Sequence, residues 1–144
     1  MKRLLILMTT SILVMLLLSA CAYKKYAKEA SKYETAGLYE LAVKKYISSL
    51  VKKPEYIDSR IGLLRVSTRY AEQLSEKIEQ SYAVLDDDAV VSYYLKLKDL
   101  RSSVDRFRID LPLDNRVEGQ FKEAKSRFLY DKYRQAETLL DQEK

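Results

Sequence analysis

The sequence contains no histidine and no tryptophan, and among its 144 residues it has one cysteine, three glycines and two prolines. Without histidine, the side chain that most often shuttles protons near neutral pH and ligates metals is missing. A single cysteine cannot form a disulfide within the chain. Because helix breakers are scarce while Leu, Ala, Glu, Lys and Arg are abundant, the composition predicts an all-α fold.

The same absences bear on catalysis and on cofactors. A Ser-His-Asp arrangement is excluded, and the sequence has no glycine-rich phosphate loop and no clustered metal-ligand spacing. We therefore expect no enzyme activity, no catalytic residues, no metal and no cofactor. Many carboxylates have a basic residue four positions away, for example Glu118–Lys122 and Glu123–Arg127. A pair of carboxylates that cleaves glycans stays open as a remote alternative, because such a pair need not be adjacent in the chain.

Charge is mixed along the chain. There are 26 basic and 21 acidic residues, a formal net charge of +5. Without Lys2 and Arg3, which lie in an N-terminal segment expected to be removed, 24 basic residues face 21 acidic ones, a net charge of about +3. So mild an excess does not indicate a nucleic-acid partner.

The N-terminal segment has the three parts of a secretory signal. Met1-Lys2-Arg3 is a short basic head, residues 4–18 are almost entirely apolar, and small residues follow. The end of this segment, Leu18-Ser19-Ala20-Cys21, resembles the bacterial lipobox. The resemblance implies cleavage between Ala20 and Cys21 and attachment of a diacylglycerol to the Cys21 sulfur. Two alternatives stay open: Leu4–Ala22 as an uncleaved membrane span, and ordinary cleavage that leaves a free thiol.

The lipobox resemblance also implies a location. The signal peptide would be residues 1–20, and residues 21–144 would form one domain that is held at a membrane of the bacterial cell envelope by its first residue. Ala22 is not the aspartate that often signals retention in the inner membrane. In a Gram-negative cell, we therefore expect the periplasmic face of the outer membrane.

Residues 23–54 predict two helices with a tight turn at Gly37. This stretch resembles a tetratricopeptide repeat, although Glu29 and Ser49 depart from the family's usual residues. The resemblance implies that small and aromatic side chains pack where the two helices cross. The matching residues are Tyr26, Ala30, Tyr33, Gly37, Tyr39, Ala42, Tyr46 and Pro54.

The rest of the chain predicts further helices. Ile57–Leu85 carries an apolar stripe at helical spacing, Asp86-Asp87-Asp88 punctuates it, and 89–109 continues the pattern. A helix over about 116–129 follows, and residues 130–136 resemble the turn of the repeat family, with Tyr133 and Ala136 as its aromatic and small residues. The expected architecture is an all-α solenoid of about six helices, in antiparallel pairs over about 23–54, 57–111 and 115–143.

These features favour a membrane-anchored adaptor that binds an envelope protein. The resemblance implies a partner groove lined by first-helix residues, here Lys24, Ala27, Ser31, Glu34 and Thr35. Arg60, Arg65 and Arg69 are interpreted as a solvated face. Exposed contact tyrosines are expected among the pair Tyr93 and Tyr94 and among Tyr56 and Tyr70. The alternative is a homo-oligomer, a self-assembling subunit of a pilus, secretion or motility apparatus.

Overall fold

A computed structural model describes residues 22–142 of the chain. Within them lie five helices and no strand: α1 (Ala22–Thr35), α2 (Tyr39–Lys52), α3 (Ile57–Ala83), α4 (Asp87–Asp105) and α5 (Asn115–Gln142). The all-α prediction is therefore confirmed for this part of the chain. The predicted signal peptide, the cleavage position after Ala20 and the lipidation of Cys21 lie outside the described residues.

The C-terminal part corrects the expected count of about six helices. The predicted turn over residues 130–136 is absent, and Asn115–Gln142 is one helix of 28 residues. The physical reason is that no glycine or proline follows Gly119 within α5, so nothing in the backbone from Gln120 to Gln142 stops a helix that has already started. Tyr133 and Ala136 consequently lie exposed on α5 and do not flank a turn.

The chain forms two compact units, and the boundary between Val66 and Ser67 falls within α3. In unit 1, α1 ends at Thr35, and Gly37 in the turn that follows adopts a positive φ of 72° as its sequence position predicts. The amide of Leu38 donates to the carbonyl of Tyr33, and that of Gly37 to Glu34, so the last carbonyls of α1 are satisfied.

Helices α1 and α2 run antiparallel. The Lys45 ammonium lies 2.6 Å from the Glu29 carboxylate, and nearer the start of α1 the Ser49 hydroxyl donates to the carbonyl of Tyr23 at 2.8 Å. Ala30 is fully buried, as the resemblance implies for the helix crossing. The other buried apolar residues of the unit are Ala42, Val43, Tyr46, Leu50, Leu63 and Val66. Tyr26, Tyr33 and Tyr39 are half-buried, and Pro54 is exposed between α2 and α3.

The first turns of α3 complete unit 1. They run antiparallel to α2, because the Ser59 hydroxyl donates to Ser49 at 2.7 Å and Gly62, one turn later, faces the ring of Tyr46. A β-carbon at residue 62 would lie 2.5 Å from Cε1 of that ring. Only glycine therefore allows this close approach of the two helices.

The predicted apolar stripe of α3 is wrong over its first half. Ile57, Ile61 and Leu64 are exposed, and the buried apolar residues there are Leu63 and Val66. Relative to the predicted orientation, the helix is rotated about its axis because its small residues, Ser59 and Gly62, face α2. Since these two residues are buried, the larger Ile57 and Ile61 are turned toward solvent.

Unit 2 combines the end of α3 with α4 and α5. Arg127 on α5 donates to both carboxylate oxygens of Asp87 at 2.8 and 2.7 Å, and the Tyr94 ring stacks on Phe121 at 3.8 Å, so α4 and α5 run antiparallel. The buried apolar residues are Tyr70, Leu74, Ile78, Val90, Leu97, Leu100, Val104, Leu111, Val117 and Ala124.

The turn between α3 and α4 has the same hydrogen-bond pattern as the turn at Gly37, with Leu85 in the position of the glycine. Asp86 donates its amide to the carbonyl of Ser81, and Leu85 to that of Tyr82. Leu85 holds the positive φ of 58° and is exposed, so it does not extend the apolar stripe as predicted. Asp86 caps α4 by accepting a hydrogen bond from the amide of Ala89 at 3.1 Å.

Candidate functional site

A cavity of about 410 Å³ lies in unit 1 between α1 and the beginning of α3. These two segments run in the same direction: the Tyr23 ring contacts Tyr56 edge-on at 4.8 Å near one end, and Arg65 meets Glu34 near the other. The cavity is lined by Lys24, Ala27, Lys28, Ser31, Tyr46, Tyr56, Asp58, Ile61 and Arg65.

Three of the five predicted groove residues line this cavity: Lys24, Ala27 and Ser31. The other two do not. The side chain of Glu34 is only 8 % exposed and is held by Arg65, and the Thr35 hydroxyl donates to the Ser31 carbonyl of its own helix at 2.9 Å. That any of these residues binds a partner stays a prediction.

Glu34 is the centre of a partly buried polar cluster at one end of the cavity. Arg65 donates to its two carboxylate oxygens at 2.6 and 2.8 Å, and the Tyr46 hydroxyl donates to it at 3.0 Å. Burial, together with this hydrogen bond to Glu34, raises the pKa of Tyr46 to about 12. The hydrogen bond to Glu34 also raises the pKa of Arg65 above its ordinary value.

Arg60, Arg65 and Arg69 are all exposed, as expected for a solvated face, but Arg65 also has a structural role that the interpretation did not include. Its guanidinium ties α3 to α1 and forms part of the cavity wall. The sequence carries a signal that points to this wall: Asp58, Ile61 and Arg65 follow one another at intervals of three and four residues, which places them on one face of a helix. The partner of Arg65 on α1 is Glu34, which lies 31 positions earlier in the chain, and no local sequence pattern identifies it.

Positive charge predominates in the cavity. Lys24 and Lys28 stand one turn apart on α1, and within residues 22–142 neither takes part in an ion pair. Glu34 is paired with Arg65, whereas Asp58 accepts a hydrogen bond from the neutral Tyr56 hydroxyl, which raises the pKa of Tyr56 and leaves the negative charge of Asp58 in place. With Ile61 exposed on the opposite wall, the cavity can hold a segment that brings acidic and apolar side chains.

A second cavity, of about 370 Å³, lies in unit 2 between α4 and α5. Its floor is the stacked pair Tyr94 and Phe121, and Lys98, Arg101 and Lys125 stand around it. Sequence reasoning did not identify this cavity, because its basic residues come from two helices and are spread over 28 positions of the chain.

The tyrosines expected to be exposed are placed differently from the prediction. Tyr70 is buried in the core of unit 2. Tyr93 and Tyr94 are both half-buried, the first beneath Lys77 and Lys96 and the second on Phe121. The most exposed tyrosines are instead Tyr130 and Tyr133 on α5.

No family model, no curated protein and no solved structure matches the chain. Within residues 22–142, no helix has the length and apolar character needed to cross a membrane. In the same stretch, no three acidic or cysteine side chains are grouped so that they could hold a metal ion.

Proposed function

We propose that this chain is a lipid-anchored adaptor of the bacterial cell envelope that binds a segment of another envelope protein in the unit 1 cavity. The anchor would be the diacylglycerol on Cys21, and the binding module a tetratricopeptide-like hairpin extended by the start of α3. In a Gram-negative cell, the expected location is the periplasmic face of the outer membrane.

The observation that carries this proposal is the cavity between α1 and α3. Three residues that family resemblance assigns to a partner groove, Lys24, Ala27 and Ser31, line one wall. The cavity contains two ammonium groups and an exposed isoleucine, and of its carboxylates Glu34 is paired with Arg65 while Asp58 keeps its charge, so positive charge is in excess. Such a surface favours recognition of an acidic, partly apolar segment over catalysis.

Photocrosslinking in living cells tests the binding proposal. A photoreactive amino acid at Ser31, inside the cavity, should yield a defined adduct with one envelope protein. The matched control is the same amino acid at Lys52, which is exposed on α2 and does not line the cavity. Lys24→Glu with Lys28→Glu should reduce the Ser31 adduct, because reversed charges repel an acidic segment. Equal adducts at both positions, or no effect of the reversal, would refute the groove.

Metabolic labelling with palmitate tests the anchor separately. The native chain should take up label and stay with the membrane fraction, and Cys21→Ser should lose both properties. An unlabelled native chain whose N-terminal peptide carries a free thiol would refute lipidation and leave the groove proposal to its own test.

A structural subunit that assembles with itself is the second candidate. Its specific support is the exposed apolar surface on α5, where Leu129, Tyr133 and Leu140 are each more than half exposed.

A further inference from the structure

The last fourteen described residues of α5 form a helix that leaves the core of unit 2. Ala124 is the last buried residue of this helix, and every residue from 129 to 142 is exposed. This segment is nevertheless not uniformly polar. Leu129, Tyr133, Ala136 and Leu140 follow one another at intervals of four, three and four residues. At 100° per residue, these four positions fall within about 60° of one another around the helix.

We propose that this stripe, Leu129–Tyr133–Ala136–Leu140, is the seam of a short parallel pair formed with the same segment of a second copy. Alternating intervals of four and three residues are the spacing by which two helices pack along a common seam. Upstream, the seam positions are Lys122 and Ser126, which are polar, so the apolar seam begins only where α5 has left its own core.

Charge beside the seam selects both the occupant and the direction. Lys132 precedes the seam residue Tyr133, and Glu137 follows the seam residue Ala136. In a parallel pair, residues five positions apart on these flanks face each other across the seam, so each Lys132 meets the Glu137 of the other copy. An antiparallel pair would instead bring like charges together. Within its own chain, the Lys132 ammonium lies 3.7 Å from Asp88 and 5.2 Å from the centre of the Phe128 ring; Asp88 and Lys132 are both largely exposed, so this ion pair is weak.

A membrane surface fits this stripe less well. Residues 129–142 carry two basic and three acidic side chains, whereas interfacial helices that bind anionic lipid are rich in lysine and arginine. Two heptads bury little surface and would associate weakly in free solution. Two copies confined to one membrane would meet at a higher effective concentration. The proposed pairing does not depend on the unit 1 cavity, but its strength rests on the lipid anchor proposed above, which palmitate labelling tests separately.

Disulfide crosslinking of the full chain in its membrane tests the seam. Cys21 is the only native cysteine, so the unaltered chain reports its background. Tyr133→Cys, Ala136→Cys and Leu140→Cys, made singly, should each give dimers at least about fivefold above Asp131→Cys, which lies on the opposite side of the helix. An antiparallel pair would crosslink efficiently at no more than one of the three seam positions, which would overturn the parallel arrangement. Equal crosslinking at residue 131 would overturn the seam.

Reversing the charges of Glu137 and Lys132 gives a second test of the seam. Its only substitution within the seam itself is the cysteine used for crosslinking. In the Ala136→Cys background, Glu137→Lys should lower dimer yield about threefold to tenfold, because two lysines then face each other on each side. Adding Lys132→Glu reverses both partners and should restore the yield. If the doubly exchanged chain crosslinks no better than Glu137→Lys alone, the flanking pairs do not form and the proposal fails.

Discussion

Gly62 offers the sharpest test of how unit 1 is packed. A β-carbon at this position would lie 2.5 Å from Cε1 and 2.8 Å from the hydroxyl oxygen of Tyr46. The ring cannot easily withdraw, because it is buried and its hydroxyl donates to Glu34 at 3.0 Å. We expect Gly62→Ala to cost about 1–3 kcal/mol through overpacking. Better helix propensity returns about 1 kcal/mol, which leaves a net loss of about 0–2 kcal/mol, where a glycine without close neighbours would show a gain.

Urea unfolding followed by far-ultraviolet circular dichroism measures this loss. Gly119→Ala on α5 is the matched control, since nothing lies within 4 Å of a β-carbon there, and it should gain about 0.5–1 kcal/mol. In a Tyr46→Leu background, the cost of Gly62→Ala should fall below about 0.5 kcal/mol, because the two sites are coupled. If Gly62→Ala gains as much stability as the control does, the close approach of α3 to Tyr46 is refuted.

Three further predictions concern stability. The raised pKa keeps Tyr46 protonated in the folded state at pH values at which the unfolded chain has already released this proton. The free energy of unfolding should therefore fall between pH 10 and 12. Tyr46→Phe should remove on the order of 2 kcal/mol of that fall in urea titrations. Arg127→Ala removes two hydrogen bonds from the Asp87 carboxylate, which is only 14 % exposed, and should cost about 1–3 kcal/mol in urea unfolding. Lys122→Ala breaks an exposed ion pair with Glu118 and should cost under about 0.5 kcal/mol. Asp86→Ala removes the cap of α4 and should cost about 1 kcal/mol in thermal unfolding, against about 0.5 kcal/mol or less for Asp88→Ala.

Local chemistry made several features predictable from the sequence. Gly37 takes the left-handed conformation that a helix end requires. The ion pairs Glu40–Lys44 and Glu118–Lys122 form as their spacing of four residues predicts. Each of these depends on residues that the helix itself brings together.

Features that depend on distant partners were not predictable in the same way. Arg127 was expected to pair with Glu123, four residues earlier, yet it binds Asp87 on α4, and Glu123 accepts a hydrogen bond from Tyr82 instead. The rotation of α3 has the same origin, because Gly62 is buried for the space it leaves beside Tyr46. The hydropathy pattern along the chain does not indicate which small residue will pack against a distant aromatic ring.

For the cavity, one wall could be anticipated and the other could not. Family resemblance assigned Lys24, Ala27 and Ser31 to a groove because the repeat family lines its groove from first helices, and all three line the cavity. The α3 wall required knowledge that Arg65 reaches Glu34, a contact that only the fold provides.

The hydroxyl chain from Ser59 through Ser49 to the carbonyl of Tyr23 fastens the first turn of α1 to both α2 and α3. Tension entering the protein at the beginning of α1 would therefore be divided among three helices from the outset. Such a connection resists peeling of α1 from its neighbours, since its first turn cannot lift away before these buried hydrogen bonds break. Under the anchor proposed for Cys21, these hydrogen bonds would hold the cavity between α1 and α3 in shape while the chain is pulled from that end.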